Sequence, residues 1–405
     1  MTPQKNGIVP CGGGCEDGDV WSDLRAERIA RELTGLVARE LVTAELLCAV
    51  DGLVDQVVPA DASCWSTFDP ATTMLTSAVG RNLDEDGDDA VRFMELEYVA
   101  QAPGHYRELM SSGDPVIVQH AATDRPASAE HAQVGEHLAA MGLGQELRIV
   151  LRHQRTGWGG AGLMRRTGAA PFDDDEQRFL RHVAPSITAA IRASLVRSMA
   201  EPVAIDPDRQ GPAVVVVEGV EVVEATPAAQ RWLEQLGAAD RGHGPMPAVL
   251  AAVAVAAANG RTVAQRARTA DGTWLVVRSA PLGGHRGIVT IDEAGPPDVV
   301  AILSAALGLS ARESDVVVEV LRGSSTKEIA NALHLSTYTV QDHLKTVFDK
   351  AGVNSRRELI ADVFFGIYAP RLGRPVGPDG FFADGAARAN DEPERPLPRA
   401  HSSIC

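Results

Sequence analysis

The most constraining feature of this 405-residue sequence is a helix-start signal that recurs within residues 309–365. In a capping box, a serine hydroxyl and a glutamate carboxylate three residues later satisfy backbone amides that the first helical turn leaves without partners. The segment holds three such pairs, Ser310/Glu313, Ser325/Glu328 and Ser355/Glu358. Ser336 can cap a further helix without an acidic partner. The segment is therefore predicted to form four short helices.

Apolar residues within each of these helices recur at spacings of one, three and four, which gives every helix one buried face. The second and third helices are separated only by a turn around His334 and Leu335. Histidine tolerates a positive φ better than most residues, and Gly352 suits a left-handed end to the third helix. Two helices joined by so short a turn must cross steeply, which is the helix-turn-helix arrangement.

The third predicted helix turns a polar face outward once its apolar residues are buried. Glutamine can pair with adenine edges in a major groove, aspartate can accept from cytosine, and lysine can reach guanine or phosphate. The outward positions are Tyr338, Gln341, Asp342, Lys345 and Asp349. Basic residues near the helix ends suit flanking phosphates, namely Lys327, Lys350, Arg356 and Arg357. An ordinary solvent-exposed helix would show a similar polar face, but the surrounding helix-turn-helix arrangement favours a helix that recognises duplex DNA.

The same segment resembles the LuxR-type (GerE-like) helix-turn-helix domain. The likeness lies in LSARE at 309–313, TKEIANALHLS at 326–336 and TVQDHLKTVFDKAGVNSR at 339–356. The resemblance implies sequence-specific binding of double-stranded DNA by a homodimer, with the third helix in the major groove.

It also implies base contacts from Gln341, Asp342 and Lys345, and backbone contacts from Thr339 and Lys327. With the helix start and the flanking cations, the predicted interface comprises Lys327, Ser336, Thr337, Tyr338, Thr339, Gln341, Asp342, Lys345, Lys350, Arg356 and Arg357. Asp342 is a departure, because many family members are neutral or basic there. The segment holds seven Lys or Arg against eight Asp or Glu. Nonspecific affinity, which depends on phosphate neutralisation, should therefore be weak.

The whole chain is acidic, with a formal net charge of −16. Any nucleic-acid binding must therefore use a local patch. The five scattered cysteines fit a reducing cytoplasm better than a disulfide scaffold. No signal-peptide pattern opens the sequence, and the longest apolar run, 248–258, is too short to span a bilayer. We expect a soluble cytoplasmic protein without a membrane partner.

Residues 20–200 alternate between helical and strand patterns. The predicted order is a helix over 21–57, strands 63–68 and 72–79, helices 89–100 and 106–110, strand 116–119, helix 129–140, a hairpin of 145–154 and 157–166, and helix 173–199. This layout resembles a GAF domain, whose fold places helices over an antiparallel sheet and often encloses a small-molecule pocket. The candidate pocket residues are Trp65, Phe93, Tyr98, Tyr106 and Trp158, and ordinary core packing explains them equally well. No cofactor is indicated, and the small-molecule effector is unknown.

The closing helix of this unit carries an apolar residue at every fourth position. The stripe comprises Phe179, Val183, Ile187, Ile191 and Leu195. Such a stripe suits pairing with the same helix of a second copy. It suits packing onto its own sheet equally well.

Residues 201–297 show two strands, two helices and three more strands. The order resembles a PAS domain, and VVVVEGVEVVEATPAAQRWL carries most of the likeness. Residues 295–297, Gly-Pro-Pro, are predicted to be a hinge. The fold class is thus α+β multidomain. Its parts are a disordered N-terminus (1–19), GAF-like (20–200) and PAS-like (201–297) sensor domains, an all-α four-helix LuxR-type helix-turn-helix domain (298–368) and a disordered tail (369–405).

The sequence contains no catalytic signature that we recognise. The phosphate-loop pattern, the G-x-S-x-G elbow and the H-E-x-x-H zinc pattern are all missing from it. We therefore expect a transcriptional regulator and not an enzyme. An alternative is a signalling adaptor that binds proteins such as RNA polymerase or a sigma factor. A nucleotide hydrolase on the GAF-like unit is a remoter possibility.

Overall fold

The computed structural model describes residues 16–39, 41–83, 88–121, 128–200, 212–237, 246–270, 273–294 and 296–360. Two five-stranded antiparallel sheets with flanking helices precede a purely helical segment, so the fold is α+β and multidomain. We call residues 16–200 the first sheet unit, residues 212–294 the second sheet unit and residues 296–360 the helical unit.

The first sheet unit has six α-helices and five strands among its described residues. The helices are α1 (Glu16–Gly35), α2 (Thr43–Val54), α3 (Asp88–Met94), α4 (Tyr106–Ser111), α5 (Ala129–Ala140) and α6 (Asp174–Ala200). A 3₁₀ turn (Leu36–Ala38) follows α1, and a π-helix (Glu95–Val99) continues α3. The strands are β1 (Ala62–Phe68), β2 (Leu75–Arg81), β3 (Val116–His120), β4 (Leu143–His153) and β5 (Thr156–Arg166).

The first sheet runs in the order β2-β1-β5-β4-β3, and side chains alternate between its two faces. One face, which includes Leu147 and Ile149, packs against α2 and α6. The apolar stripe of α6 from Phe179 to Leu195 is buried in this core. It therefore packs onto its own sheet and offers no apolar face to a second copy.

The second sheet unit repeats the strand order of the first. Its elements are β6 (Val214–Glu218), β7 (Glu221–Ala225), α7 (Pro227–Gly237), α8 (Ala248–Ala258), β8 (Val263–Arg268), β9 (Trp274–Gly283) and β10 (Arg286–Glu293). The sheet order is β7-β6-β10-β9-β8. Helix α8 is apolar on all sides, and its residues are buried from Ala248 to Ala257. It is covered by β8, β9 and β10 of its own unit and by β2, α3 and the π-helix of the first.

The helical unit contains α9 (Pro296–Ala306), α10 (Ala311–Leu321), α11 (Thr326–Ala332) and α12 (Thr337–Ala351). A further helical stretch covers residues 356–360, and the rest of the predicted fourth helix lies outside the described residues. Sequence reasoning predicted a hinge at 295–297 and placed the four helices of this segment within 309–365. Instead, Pro296 opens α9, where its missing N–H costs no hydrogen bond.

Two other predictions need correction. The continuous helix predicted over 21–57 is divided into α1, a 3₁₀ turn and α2, because the apolar positions of both halves face one core and the chain must turn back. Of the predicted disordered N-terminus, residues 16–19 belong to α1 and residues 1–15 lie outside the described part of the chain. The predicted tail, 369–405, also lies outside it.

Candidate nucleic-acid interface and sensor cavity

Serine caps determine where α10, α11 and α12 begin. The Ser310 hydroxyl accepts from the Glu313 amide at 3.2 Å, and a Glu313 carboxylate oxygen accepts from the Ser310 amide at 2.7 Å. Ser325 and Glu328 form the same reciprocal pair at 3.4 and 2.6 Å. At α12 the Ser336 hydroxyl accepts from the amide three residues later at 3.0 Å. The predicted caps are therefore present at all three helices.

The third predicted box has a different geometry. Ser355 accepts from the Glu358 amide at 3.1 Å, but the Glu358 carboxylate accepts from the Asn354 amide and not from that of Ser355. The two predicted positive-φ positions are confirmed, with φ of 54° at His334 and 69° at Gly352. These turns fix the crossing of α11 with α12 and the end of α12.

Burial of one side of α12 orients its other side toward solvent. The buried residues of the three-helix core are Val316, Val317, Val320, Ile329, Ala330, Val340, Leu344 and Val347. On the opposite side Gln341, Asp342 and Lys345 are exposed, and Tyr338 is 78% exposed. These four side chains form an open polar ridge, which we call the α12 ridge. Nothing in the described part of the first or second sheet unit covers it.

Four cations were predicted to meet phosphates, and the structure places them in two groups. Lys327 and Arg357 are exposed, as are Ser336 and Thr337 at the start of α12, while Thr339 is half-buried. Lys327 and Arg357 can therefore reach a neighbouring polyanion without giving up a contact within the described helices.

Lys350 and Arg356 instead join helices within the unit. The Lys350 Nζ donates to the Glu313 carboxylate at 2.6 Å and to the Gly308 carbonyl at 2.9 Å. Burial opposes ionisation of Glu313, but its hydrogen bonds from Lys350 and Ser310 keep its pKa below the usual value. Arg356 donates to the Ser324 carbonyl. Both cations hold α10 against neighbouring helices.

The first sheet unit encloses a cavity of about 70 Å³ between its sheet and the helices α3 and α5. The apolar part of the lining is Leu75, Leu83, Ala90, Phe93, Met94, Tyr106, Leu138, Met141 and Met164. The polar part is Cys64, Ser66, Asp89, His137, Glu146 and Arg148. We call this space the sensor cavity.

A buried charge cluster forms one wall of the sensor cavity. Arg148 lies between two carboxylates, with Nε 2.9 Å from Glu146 and Nη1 3.3 Å from Glu97. All three residues are at most 5% exposed. Glu97 also accepts from the Tyr106 amide at 2.7 Å. Two carboxylates therefore share one guanidinium away from solvent.

The environment shifts the pKa values of this cluster. Burial raises the pKa of Glu97 to about 7, although Arg148 attracts its anion. Burial acts to lower the pKa of Arg148, but the adjacent Glu146 and Glu97 carboxylates outweigh it and raise that pKa. Burial also lowers the pKa of His137, which keeps the imidazole neutral at neutral pH. The guanidinium thus stays charged, while Glu97 is close to its titration point.

The five predicted pocket residues occupy different places. Phe93 and Tyr106 line the sensor cavity, and each ring lies within 5.6 Å of the Arg148 guanidinium carbon. Tyr98 is buried beside it, where its hydroxyl accepts from the Leu75 amide. Trp65 and Trp158 are fully buried in the core on the α6 side of the sheet.

The position of Trp158 has a local cause. The pairing of β4 with β5 shifts between Leu151/Gly159 and Arg152/Gly157, so Trp158 is the extra residue of a β-bulge. Its ring lies 6.0 Å from the Arg192 guanidinium of α6. A bulge shifts the alternation of side chains between the two faces of a strand, so the face of Trp158 could not be predicted from a regular alternation.

Residues 307–362 match the family model described as bacterial regulatory proteins, luxR family. They form a LuxR-type helix-turn-helix domain. The match spans α10, α11 and α12 and therefore includes the whole α12 ridge. No curated protein matches the full sequence significantly.

Solved structures that resemble this chain include LuxR-type regulators and GAF domains. Escherichia coli SdiA aligns over 86% of this chain and 98% of its own, with 13% identity and a TM-score of 0.33. The N-acylhomoserine lactone-dependent LuxR family factor CepR2 from Burkholderia cenocepacia aligns over 44% and 99%, with 18% identity and a TM-score of 0.31. The phycoerythrobilin-bound GAF domain of a cyanobacterial phytochrome aligns over 42% and 96%, with 16% identity and a TM-score of 0.31.

Sequence reasoning did not find the charge cluster beneath the sensor cavity. Glu146 and Arg148 share a strand face, and their i, i+2 spacing is the signal that was available. Glu97 comes from a π-helix 51 residues earlier and carries no local signal. Among the described residues, no three His, Cys, Asp or Glu side chains form a metal-binding group. None of the described helices is long and apolar enough to cross a membrane.

Proposed function

We propose that this protein is a sequence-specific DNA-binding transcription regulator, and not an enzyme, whose sheet units respond to a small molecule or partner. The observation that carries the proposal is the open α12 ridge on a LuxR-type domain. Gln341 and Lys345 are one helical turn apart on an exposed surface, at the spacing that lets two side chains reach neighbouring base edges.

The contacts fall into two kinds. Gln341, Asp342, Lys345 and Tyr338 are assigned to base edges, while Lys327, Arg357 and the helix start of α12 are assigned to phosphates. Lys350 and Arg356 were predicted as phosphate contacts as well, and their present hydrogen bonds favour a supporting role.

A homodimer would present two such ridges. Two recognition helices reach successive major grooves only when they are held about one helical turn of DNA apart, roughly 34–36 Å. The preferred site should then be dyad-symmetric. Because the α6 stripe is buried within its own unit, the dimer contact must use another surface.

The effector proposal rests on the sensor cavity and on the contacts that lead away from it. The π-helix beside the cavity accepts from the second sheet unit, where Arg261 donates to the Tyr98 carbonyl at 2.7 Å. Gln265 donates to the Leu75 carbonyl of β2, and Leu75 lines the cavity. In turn Arg266 donates to the Asp298 carbonyl of α9 at 3.4 Å. A ligand that moves α3 or β2 would thus alter contacts along the path to the LuxR-type domain.

The test is selection from random duplex pools with purified full-length protein, followed by sequencing of the retained DNA. We expect a dyad-symmetric motif that is lost in the double variant Gln341→Ala, Lys345→Ala. The matched control is Arg278→Ala, an exposed cation of β9 in the second sheet unit. If a well-folded protein enriches no motif, direct DNA recognition fails and the adaptor that binds RNA polymerase or a sigma factor is favoured.

A further inference from the structure

We infer that the sensor cavity binds a short-chain alkylammonium, with its cationic head against Glu146 and its alkyl part against the apolar lining. This inference rests on the proposed function, since it names the chemical class of the effector.

The charges of the cavity wall are unbalanced. Arg148 supplies one positive charge and Glu146 one negative charge, while Glu97, which lies behind the lining and has a pKa of about 7, adds a further partial negative charge at neutral pH. Asp89, also on the lining, adds a third carboxylate, and His137 is held neutral by its burial. Buried charge without a partner is costly, so a cation that enters the cavity gains more than it would gain on the surface.

An anionic ligand is disfavoured by the same geometry. The guanidinium of Arg148 is the only cationic side chain on the described lining, and it is already ion-paired, with Nε 2.9 Å from Glu146, without hydrogen-bond geometry, and Nη1 3.3 Å from Glu97. Nη1 also donates to the Gly104 carbonyl at 3.2 Å. A carboxylate ligand would have to displace one of these partners and would meet two like charges. A neutral ligand would leave the excess negative charge in place.

The remaining lining limits the ligand to a small apolar body. Phe93, Leu138 and Met141 surround the space with carbon and sulfur atoms. A volume of about 70 Å³ is roughly half that of a cavity that holds benzene, so three or four heavy atoms fit. Propylammonium meets both requirements, because it pairs one cationic head with a three-carbon chain.

Calorimetric titration of the full-length protein with propylamine hydrochloride at pH 7 tests the inference without DNA. We expect saturable binding, and for four heavy atoms the dissociation constant reaches roughly 0.04 mM at best. The neutral 1-propanol and the anionic propionate should bind at least about tenfold more weakly. A bound cation also favours ionised Glu97, so binding should release protons, seen as an enthalpy that depends on the buffer.

Two variants act on the cavity in different ways. Glu146→Gln removes the proposed partner of the ammonium, while Ala90→Leu fills the cavity and keeps every charge. Both should weaken propylammonium binding at least about tenfold, whereas Glu224→Gln, on the exposed strand β7, should not change it. Circular dichroism establishes that each variant is folded.

The inference is wrong if 1-propanol or propionate binds as tightly as propylamine, or if folded Ala90→Leu binds it normally. It is also wrong if titration shows no saturation about a hundredfold above the limiting dissociation constant. Because these measurements need no duplex, their failure leaves the DNA-binding proposal standing. If the protein binds the amine but enriches no DNA motif, the assignment of the cavity is supported and the proposal of a DNA-binding regulator is contradicted.

Discussion

The Arg266 guanidinium binds both carboxylate oxygens of Asp69, although the two residues are 197 positions apart. The Nη2 and Nε donors lie 2.7 and 2.9 Å from the two oxygens, and the Arg266 amide donates as well at 2.8 Å. The Asp69 side chain is fully buried. Since Arg266 also reaches the Asp298 carbonyl of α9, one side chain contacts both sheet units and the helix that leads to the LuxR-type domain.

Arg266→Met should strongly destabilise the contact between the two sheet units. The substitution leaves the Asp69 carboxylate buried without its cation, which costs about 3–5 kcal/mol. Urea unfolding should show a lower midpoint or a separation into two transitions. The double variant Asp69→Asn, Arg266→Met should recover part of the loss, because no unpaired charge remains. A single variant as stable as the wild type would contradict the structural role of this pair.

Lys327 and Lys350 should behave differently in DNA binding. Lys327→Met should make the negative slope of log K against log salt shallower by about 0.9, because one phosphate contact is lost. Lys350→Met should leave that slope unchanged and lower the free energy of unfolding by roughly 1–3 kcal/mol, because the largely buried Glu313 carboxylate loses its cation. Affinity measured at several salt concentrations distinguishes them. Equal slopes for both variants would show that Lys327 is not a phosphate contact.

Stability should fall with rising pH because of Glu97. Its folded pKa of about 7 exceeds the ordinary value of 4.5, so its contribution is fully present below pH 4.5 and is lost as pH rises through about 7. The wild-type protein should lose up to about 3 kcal/mol of its free energy of unfolding between pH 5 and pH 8 because of Glu97, and Glu97→Gln should not show this loss. Denaturant unfolding of both proteins at these pH values measures the difference. Parallel pH dependences would rule out the shift.

Asp342→Asn should strengthen binding to unrelated duplex a few-fold, because a negative charge leaves the surface that meets the phosphates. Preference for the selected motif should fall at the base pair that Asp342 reads, by about 1–3 kcal/mol. Competition binding with motif and scrambled duplexes measures both quantities. If neither changes, Asp342 lies outside the interface.

The helical unit was the part most readily predicted from sequence. Its start signals are local, because Ser310 and Glu313 accept hydrogen bonds from each other's backbone amides within one turn. The end of α12 is also predictable locally, because glycine adopts the positive φ of Gly352 without steric cost. Most strands were predicted within two residues for the same reason, because period-two burial is a local pattern. The π-helix at Glu95–Val99 and the bulge at Trp158 interrupt the regular helix and strand periods, and no recognisable sequence pattern predicts either of them.

Long-range polar contacts were beyond sequence reasoning. Asp69 lies in the turn between β1 and β2, where its carboxylate also accepts from the Ala71 amide. Its pairing with Arg266 depends on how two sheet units meet, and no local pattern records that. The same holds for Lys350, whose position near a helix end suited a phosphate equally well. The sequence gives the chemical type of a polar residue on a surface helix, but it does not show which group that residue contacts.

The near balance of charge on the LuxR-type domain has a consequence for the number of molecules a cell needs. A protein with little general attraction for duplex is seldom held on unrelated chromosomal positions, which outnumber any operator by about a millionfold or more. Most copies then stay free to occupy the rare correct site. For the proposed regulator a small pool would therefore suffice, and a bound effector would change occupancy of the operator without first emptying a large reservoir of nonspecific sites.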